Sequence, residues 1–244
     1  MTHGRSAHVR TVYERVAERY DRYYRSAWLA VAGRAAERAM LARVVAFASA
    51  SDSPRVLDAG AGTGALSRQL AVQLSGVHPV LLDLSPAMLG EAKDLGAPRV
   101  VATLDLLPFD DDTFDVVMCG WVIETVDRPA AAVAEMLRVL RPSGLLSYSF
   151  CSRPGLRRDR WRTGPLRGLV HIAFAGHFLS DAQTPFHQCE TSTRRRFHAG
   201  LVTVISLAKC CTVTAGTVPA VRRTHPAAGA IRPASHANTM EDLR

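Results

Sequence analysis

The chain has 244 residues, of which 48% are hydrophobic and 21% charged, with a formal net charge of +8, a pI near 9.8 and five cysteines. That length suffices for one α/β core and calls for no second domain. No apolar run approaches the roughly 20 residues that span a bilayer, and the charged first helix does not read as a secretory signal, so a cytosolic protein with reduced thiols is expected.

Residues 1–50 read as a helical segment. Val9, Val12, Val16, Tyr20 and Tyr23 recur at helical spacing, and Arg10, Arg15, Arg19, Arg22 and Arg25 mark the other faces. From residue 51 the pattern alternates between short apolar runs and helical periods. Strands are predicted near 55–59, 79–83, 99–104, 114–119 and 145–150, with helices near 64–75, 85–95 and 129–141. Arg128-Pro129 opens the last of these helices, and Pro142-Ser143-Gly144 follows its end. The alternation predicts an α/β fold, a Rossmann-like doubly wound, mostly parallel sheet with helices on both faces. Residues 51–150 would form the core, and residues 151–210 a substrate-side lid with a last strand at Leu201–Lys209. Residues 211–244, rich in Ala, Pro, Thr and Arg without apolar periodicity, read as disordered.

The chemistry concentrates where strands end. Val56-Leu57-Asp58 runs into Ala59-Gly60-Ala61-Gly62-Thr63-Gly64, a turn that admits a nucleotide cofactor close to the backbone. The glycine pattern alone leaves NAD, FAD and S-adenosylmethionine open. Three successive strands, however, end in Asp58, Asp83 and Asp105. A carboxylate at the glycine turn repels a diphosphate, whereas S-adenosylmethionine has no phosphate and carries an ammonium and a sulfonium. Electrostatics therefore favours S-adenosylmethionine.

Val56–Gly64, Leu82–Leu89, Asp105–Val117 and Leu137–Gly144 together resemble the motifs of the class I S-adenosylmethionine-dependent methyltransferases, in the ubiquinone/menaquinone C-methyltransferase-like branch. Tyr13–Asp21 is similar to the helix that closes over the cofactor in that branch. The resemblance covers roughly residues 9–150. It implies that Asp58, directly or through water, and the Gly60 carbonyl receive the methionine ammonium, with Gly60 and Gly62 admitting the cofactor. It further implies that Asp83 takes both ribose hydroxyls, that Asp105 and the Leu106 N–H hold the adenine, and that Tyr20 closes over the methionyl end. Each of these acids also has a plainer reading as a turn or helix cap.

Methyl transfer from a sulfonium needs an oriented nucleophile and, for some acceptors, a base. Glu124, beyond the fourth strand, is the leading candidate, with His171, His177 and His187 as alternatives on the lid side. Thr125 stands where the family often has a histidine, a departure that bears on any imported base. Arginines from Arg153 to Arg167 and at Arg194–Arg196 suit an anionic substrate, a phospholipid surface or a plain solvated face, and the apolar stretch at 165–179 suits an interfacial lid or a helix packed over the active site. Nucleic acid is disfavoured, because no aromatic-and-basic recognition module accompanies the charge. Cys189, Cys210 and Cys211 lack the spacing of a zinc site, so no metal is expected. The sequence thus predicts an S-adenosylmethionine-dependent methyltransferase of a small, lipophilic, quinone-like acceptor. An O- or N-methyltransferase of a secondary metabolite, or a non-catalytic cofactor-binding scaffold, stands as the alternative.

Overall fold

The computed structural model describes residues 3–165, 167, 168, 178–180 and 192–209. Helix α1 (His3–Arg19) leads through a wide turn at Tyr20–Arg25, the short α2 (Ser26–Trp28) and a second wide turn at Leu29–Gly33 into α3 (Arg34–Ala48). Such wide turns insert an extra residue into a helix and re-aim its side chains. The alternating core follows as β1 (Val56–Ala59), α4 (Ala65–Gln73), β2 (Val80–Asp83), α5 (Pro86–Gly90), β3 (Arg99–Val101), β4 (Phe114–Gly120), α6 (Pro129–Val139) and β5 (Leu140–Cys151). The chain then forms α7 (Arg157–Arg162), β6 (Thr193–Phe197) and β7 (Val202–Ala208).

The strands form one sheet in the order β3-β2-β1-β4-β5-β7-β6. Pairs among β1 to β5 are parallel, and β7 runs antiparallel to both β5 and β6. Successive side chains of a buried strand serve opposite faces. Val116 and Met118 accordingly pack with Met40, Leu41 and Val44 of α3 and Leu70 of α4. Val117 and Cys119 pack on the other face with Val133, Met136 and Val139 of α6. Connections leave β1 toward β2 on one side and reach β4 on the other, so the sheet reverses direction there and opens a crevice at the carboxyl ends of its strands.

The five core strands lie where alternation predicts them, with shifted ends. β3 stops at Val101, so Asp105 sits in the turn beyond it, and β5 begins at Leu140 because that residue already pairs with Phe114. The helix predicted at 85–95 breaks after Gly90 into a single turn at Lys93–Leu95. β6 is unforeseen. Its Thr193-Arg194-Arg195-Arg196 run reads as a charge cluster, yet it pairs with Val202–Ser206 as the sheet's outer strand, where charged side chains discourage further strand addition. The predicted tail and most of the 165–179 stretch lie outside the described residues.

Candidate active site

A cleft of about 1000 Å³, counting its open mouth, lies over the carboxyl ends of β1, β2 and β4. Its floor is the glycine turn. Gly60 has φ +78°, and a Cβ there would lie 2.4 Å from Val122 Cγ2, so only glycine fits. The Gly60 and Ala61 N–H groups both donate to the Leu82 carbonyl, at 2.7 and 2.8 Å, which ties the turn to β2. Gly64, also left-handed, starts α4 with no side-chain cap, so the positive end of that helix faces the cleft beside Ala65 and Leu66.

Asp83 ends β2 and lines the cleft. Its Oδ2 accepts from the Gly62 N–H and its Oδ1 from the Ser85 N–H, each at 2.9 Å. Burial raises its pKa, and hydrogen bonds from Ser85, Gly62 and Leu84 oppose that rise. Each oxygen keeps a further lone pair, so the group can accept two hydroxyls. Asp105 also lines the cleft, and its Oδ2 takes Arg128 Nη2 at 2.7 Å and Nε at 3.2 Å. Burial would raise Asp105, but hydrogen bonds from Arg128 and Thr103 together with the Arg128 charge hold it below the usual carboxylate range.

Asp58 lies beneath the turn, fully buried and outside the cleft lining. Its Oδ2 accepts from Ser67 Oγ at 2.7 Å, and its Oδ1 has no hydrogen-bond partner among the described residues. Burial pushes its pKa up to about 7 against the Ser67 hydrogen bond. A buried carboxylate with one unanswered oxygen under a glycine turn, beside a second carboxylate able to accept two hydroxyls, fits a ligand carrying both an ammonium and a ribose. S-adenosylmethionine is such a ligand.

The N-terminal helices cover the cleft. Tyr20, at the start of the first wide turn, lines it with Tyr13, the two rings 5.8 Å apart. Burial holds both phenols well above their ordinary pKa, so both stay protonated donors. Ser6 Oγ donates to Asp127 Oδ2 at 2.9 Å, and Thr63 Oγ1 donates to Asp21 Oδ1 at 2.9 Å. One latch fastens α1 to the loop after β4, and the other fastens the wide turn to the glycine loop.

Several residues that the sequence did not single out complete the walls. Glu37 of α3, buried, accepts from Arg25 Nη2 at 2.5 Å and Gln69 Nε2 at 2.6 Å, and more distantly from Trp121 Nε1 at 3.5 Å. Trp121 follows β4 in a left-handed conformation (φ 64°) that is costly for a bulky side chain. Its N–H on the Ser149 carbonyl and its edge-on packing against Trp28 hold it there. No motif marks Glu37 or Trp121. Only the tertiary approach of α3 to the end of β4 brings them together.

Two expected site residues stand elsewhere. The Leu106 N–H turns back to the Thr103 carbonyl at 3.3 Å, and Leu106 does not line the cleft, because the chain past β3 closes into a tight turn. Glu124 is buried outside the cleft lining, its Oε1 accepting the Cys151 N–H at 3.1 Å. Burial lifts its pKa to about 7, which suits proton transfer near neutrality, but its position ties the end of β5 rather than meeting a ligand. His171, His177, His187, Cys189, Cys210 and Cys211 lie outside the described residues.

Residues 57–148 match the family model described as "Methyltransferase domain". The chain is 32% identical to a demethylmenaquinone methyltransferase of Clavibacter sepedonicus, over 93% of this chain and 95% of that protein. It is 30% identical to a malonyl-[acyl-carrier protein] O-methyltransferase of Laribacter hongkongensis, over 67% of this chain and 57% of that one. Among solved structures, an S-adenosylmethionine-dependent methyltransferase of Thermotoga maritima, described as a possible histamine N-methyltransferase, superposes with a TM-score of 0.56 at 22% identity. That match covers 82% of this chain and 99% of that one. The chain therefore belongs to the class I S-adenosylmethionine-dependent methyltransferases, in their ubiquinone/menaquinone C-methyltransferase-like branch, and uses S-adenosylmethionine as its methyl donor.

Proposed function

We propose that this methyltransferase C-methylates a small, lipophilic, quinol-type ring. The observation that carries this reading is the apolar and aromatic wall of the cleft, Val9, Tyr13, Trp121, Val122 and Val126, which suits a flat, weakly polar acceptor. S-adenosylmethionine supplies an electrophilic methyl on its sulfonium. The chain's own residues then orient the acceptor and exclude water. Asp83 accepts the ribose hydroxyls, Asp105 accepts from the adenine amino group, and Asp58 answers the ammonium through the glycine turn. Tyr13 and Tyr20 line the same cleft, and burial keeps both phenols neutral. A hydroxylated ring is already nucleophilic at carbon, so orientation carries most of the task.

The acceptor of the Clavibacter relative, by its name a demethylmenaquinone, supports the same reading. The Laribacter relative, named for O-methylation of a malonyl group, supports an oxygen acceptor instead. Incubation with deuteromethyl-labelled donor and a panel of reduced demethylated quinones, phenols and acyl carboxylates separates the two. Label on a ring carbon is the expected result. Label confined to oxygen overturns the C-methylation reading.

We further propose that the enzyme meets such an acceptor at an anionic membrane surface. Trp161 is 84% and Leu156 55% exposed on and beside α7, among Arg153, Arg157 and Arg160. A Cβ added at Gly155, beside α7, would lie 3.8 Å from Arg196 Nη1 of β6, so that arginine approaches the same segment. An exposed tryptophan within a basic face suits the interface of an acidic bilayer.

A further inference from the structure

Of the five non-glycine residues with positive φ among the described residues, Trp121 has the largest side chain and is the one that lines the cleft. A bulky residue held in the left-handed region stores strain, and such strain gathers where the direction of a side chain matters to a site. Glycine or asparagine would take the same turn at lower cost, so the backbone alone gives no reason for an indole here.

Both flanks of Trp121 are fixed. A Cβ on Gly120 would lie 2.5 Å from Leu66 Cδ1 in the first turn of α4, so β4 ends in close contact with that helix. Val122 fills the space that a Cβ would need at Gly60, which seats the following residue on the glycine turn. The Trp121 N–H donates to the Ser149 carbonyl of β5 at 3.0 Å. Buried Trp28 meets the indole edge-on, the ring centroids 5.3 Å apart, and Nε1 reaches Glu37 Oε2 at 3.5 Å. Sheet, helices and glycine turn together hold the indole, which remains half-buried against the cleft. A rigid aromatic surface beside the cofactor turn suits one acceptor chemistry. Aromatic rings attract one another beyond what their buried area provides, whereas an acyl thioester has no ring to offer. Laying a ring on the indole also fixes its plane, which restricts the edge atom that can meet the donor methyl.

We propose that Trp121 is the platform on which the acceptor's aromatic ring stacks, and the residue that selects an aromatic acceptor over an acyl thioester. The inference rests on the reading of the cleft as the site of a flat, aromatic acceptor, and it assigns that selectivity to one side chain.

Calorimetric titration of the full chain, loaded with S-adenosylhomocysteine, tests it with two probes: naphthohydroquinone kept reduced under nitrogen, and malonyl-N-acetylcysteamine. Trp121→Leu keeps an apolar side chain and loses the ring. It is expected to weaken naphthohydroquinone binding about tenfold and to leave the affinities for malonyl-N-acetylcysteamine and S-adenosylhomocysteine within about threefold of the parent. Preserved affinity for S-adenosylhomocysteine also shows that the variant is folded. Trp121→Phe, which keeps a ring, should restore naphthohydroquinone binding to within about twofold of the parent. Trp121→Asn suits a left-handed backbone and carries the test if Trp121→Leu does not fold. Parental binding of naphthohydroquinone by Trp121→Leu, or a loss in Trp121→Phe as large as that in Trp121→Leu, would overturn the platform and leave the aromatic-acceptor reading standing. Equal weakening of naphthohydroquinone and S-adenosylhomocysteine would assign Trp121 a structural role and overturn the proposal as well. A parent protein that binds the thioester and not naphthohydroquinone would overturn the aromatic-acceptor reading itself, and this inference with it.

Discussion

The floor of the cleft and its cover are built by different means. In the floor, main-chain groups do most of the binding: Gly60 and Ala61 donate to Leu82, Gly62 and Ser85 donate to Asp83, and the partners lie on neighbouring parallel strands or within one turn. In the cover, side chains reach across the sequence: Ser6 to Asp127, Thr63 to Asp21, Arg25 to Glu37 and Gln69 to Glu37. Strand ends in a close-packed sheet have little freedom, so the floor is pre-organised. A cover fastened by single side-chain hydrogen bonds, each worth about 1 kcal/mol net, can open at modest cost. The floor is thus the rigid part of the site and the cover the part that can open.

The largest expected effect tests whether the floor carries a standing electrostatic cost. Asp58 is raised from 3.8 to about 7, and Glu124 from 4.5 to about 7. Below about pH 4 both the folded and unfolded chains hold these protons. Between about pH 4 and pH 7 the unfolded chain releases them while the folded chain keeps them, so the ligand-free protein loses stability as pH rises and the loss is complete above about 7. For Asp58 a shift of about three units corresponds to about 4 kcal/mol. Asp58→Asn should therefore raise stability at pH 8 by up to that amount, change it little near pH 4, and weaken S-adenosylmethionine binding. Chemical denaturation across this range checks it, and a wild-type stability that is flat from pH 4 to pH 7 would sink the account.

The next effect concerns recognition. Asp83→Ala removes the acceptor of two backbone N–H groups and of the ribose hydroxyls, and a loss of about 2 to 4 kcal/mol in cofactor binding is expected by calorimetry. Affinity within threefold of the parent, in a folded variant, would remove Asp83 from the site.

The cover should respond more mildly. Ser6→Ala together with Thr63→Val cuts both latches, and the expected cost is about 1 kcal/mol per latch, read as faster amide exchange over α1 than over β1 and β4. Exchange that quickens equally in all three elements would mean that cover and floor open as one unit.

The smallest effect lies on the basic face around α7. Binding to anionic vesicles should weaken from low to high salt as the basic face is screened, and Trp161→Ala should reduce it about threefold to tenfold without altering cofactor affinity. Equal binding to neutral and anionic vesicles would dispose of the charge argument.

Much of the floor was legible in the sequence because its determinants are local. Glycine tolerates the left-handed turn at Gly60, the apolar runs announce buried strands, and Asp83 sits at a strand end by its place in the chain. Tyr20 lines the cleft, whereas Tyr23 of the same helical stripe is exposed, so the spacing alone does not decide which of the two meets the site. Asp58 was half legible. Its acid at the turn is plain, but only packing decides that it lies beneath the floor, with one oxygen on Ser67, rather than in the cleft. Glu124 and Leu106 stand outside the cleft lining, because burial against Cys151 and a tight turn onto Thr103 are decided by neighbours far from the motif or by the local backbone path. β6 was hidden because an outer strand has little apolar alternation to display.

Local preferences, hydrophobic period and glycine placement are properties of short segments, and for this chain they specified the parallel core, the cofactor loop and the acids that end β1 and β2. Which side chains meet across α3, the wide turns and the end of β4 depends on how helices with few sequence-encoded constraints pack against that sheet. Burial and long-range contact therefore settled the Glu37, Arg25 and Trp121 cluster, the latches of the cover and the basicity of Asp58.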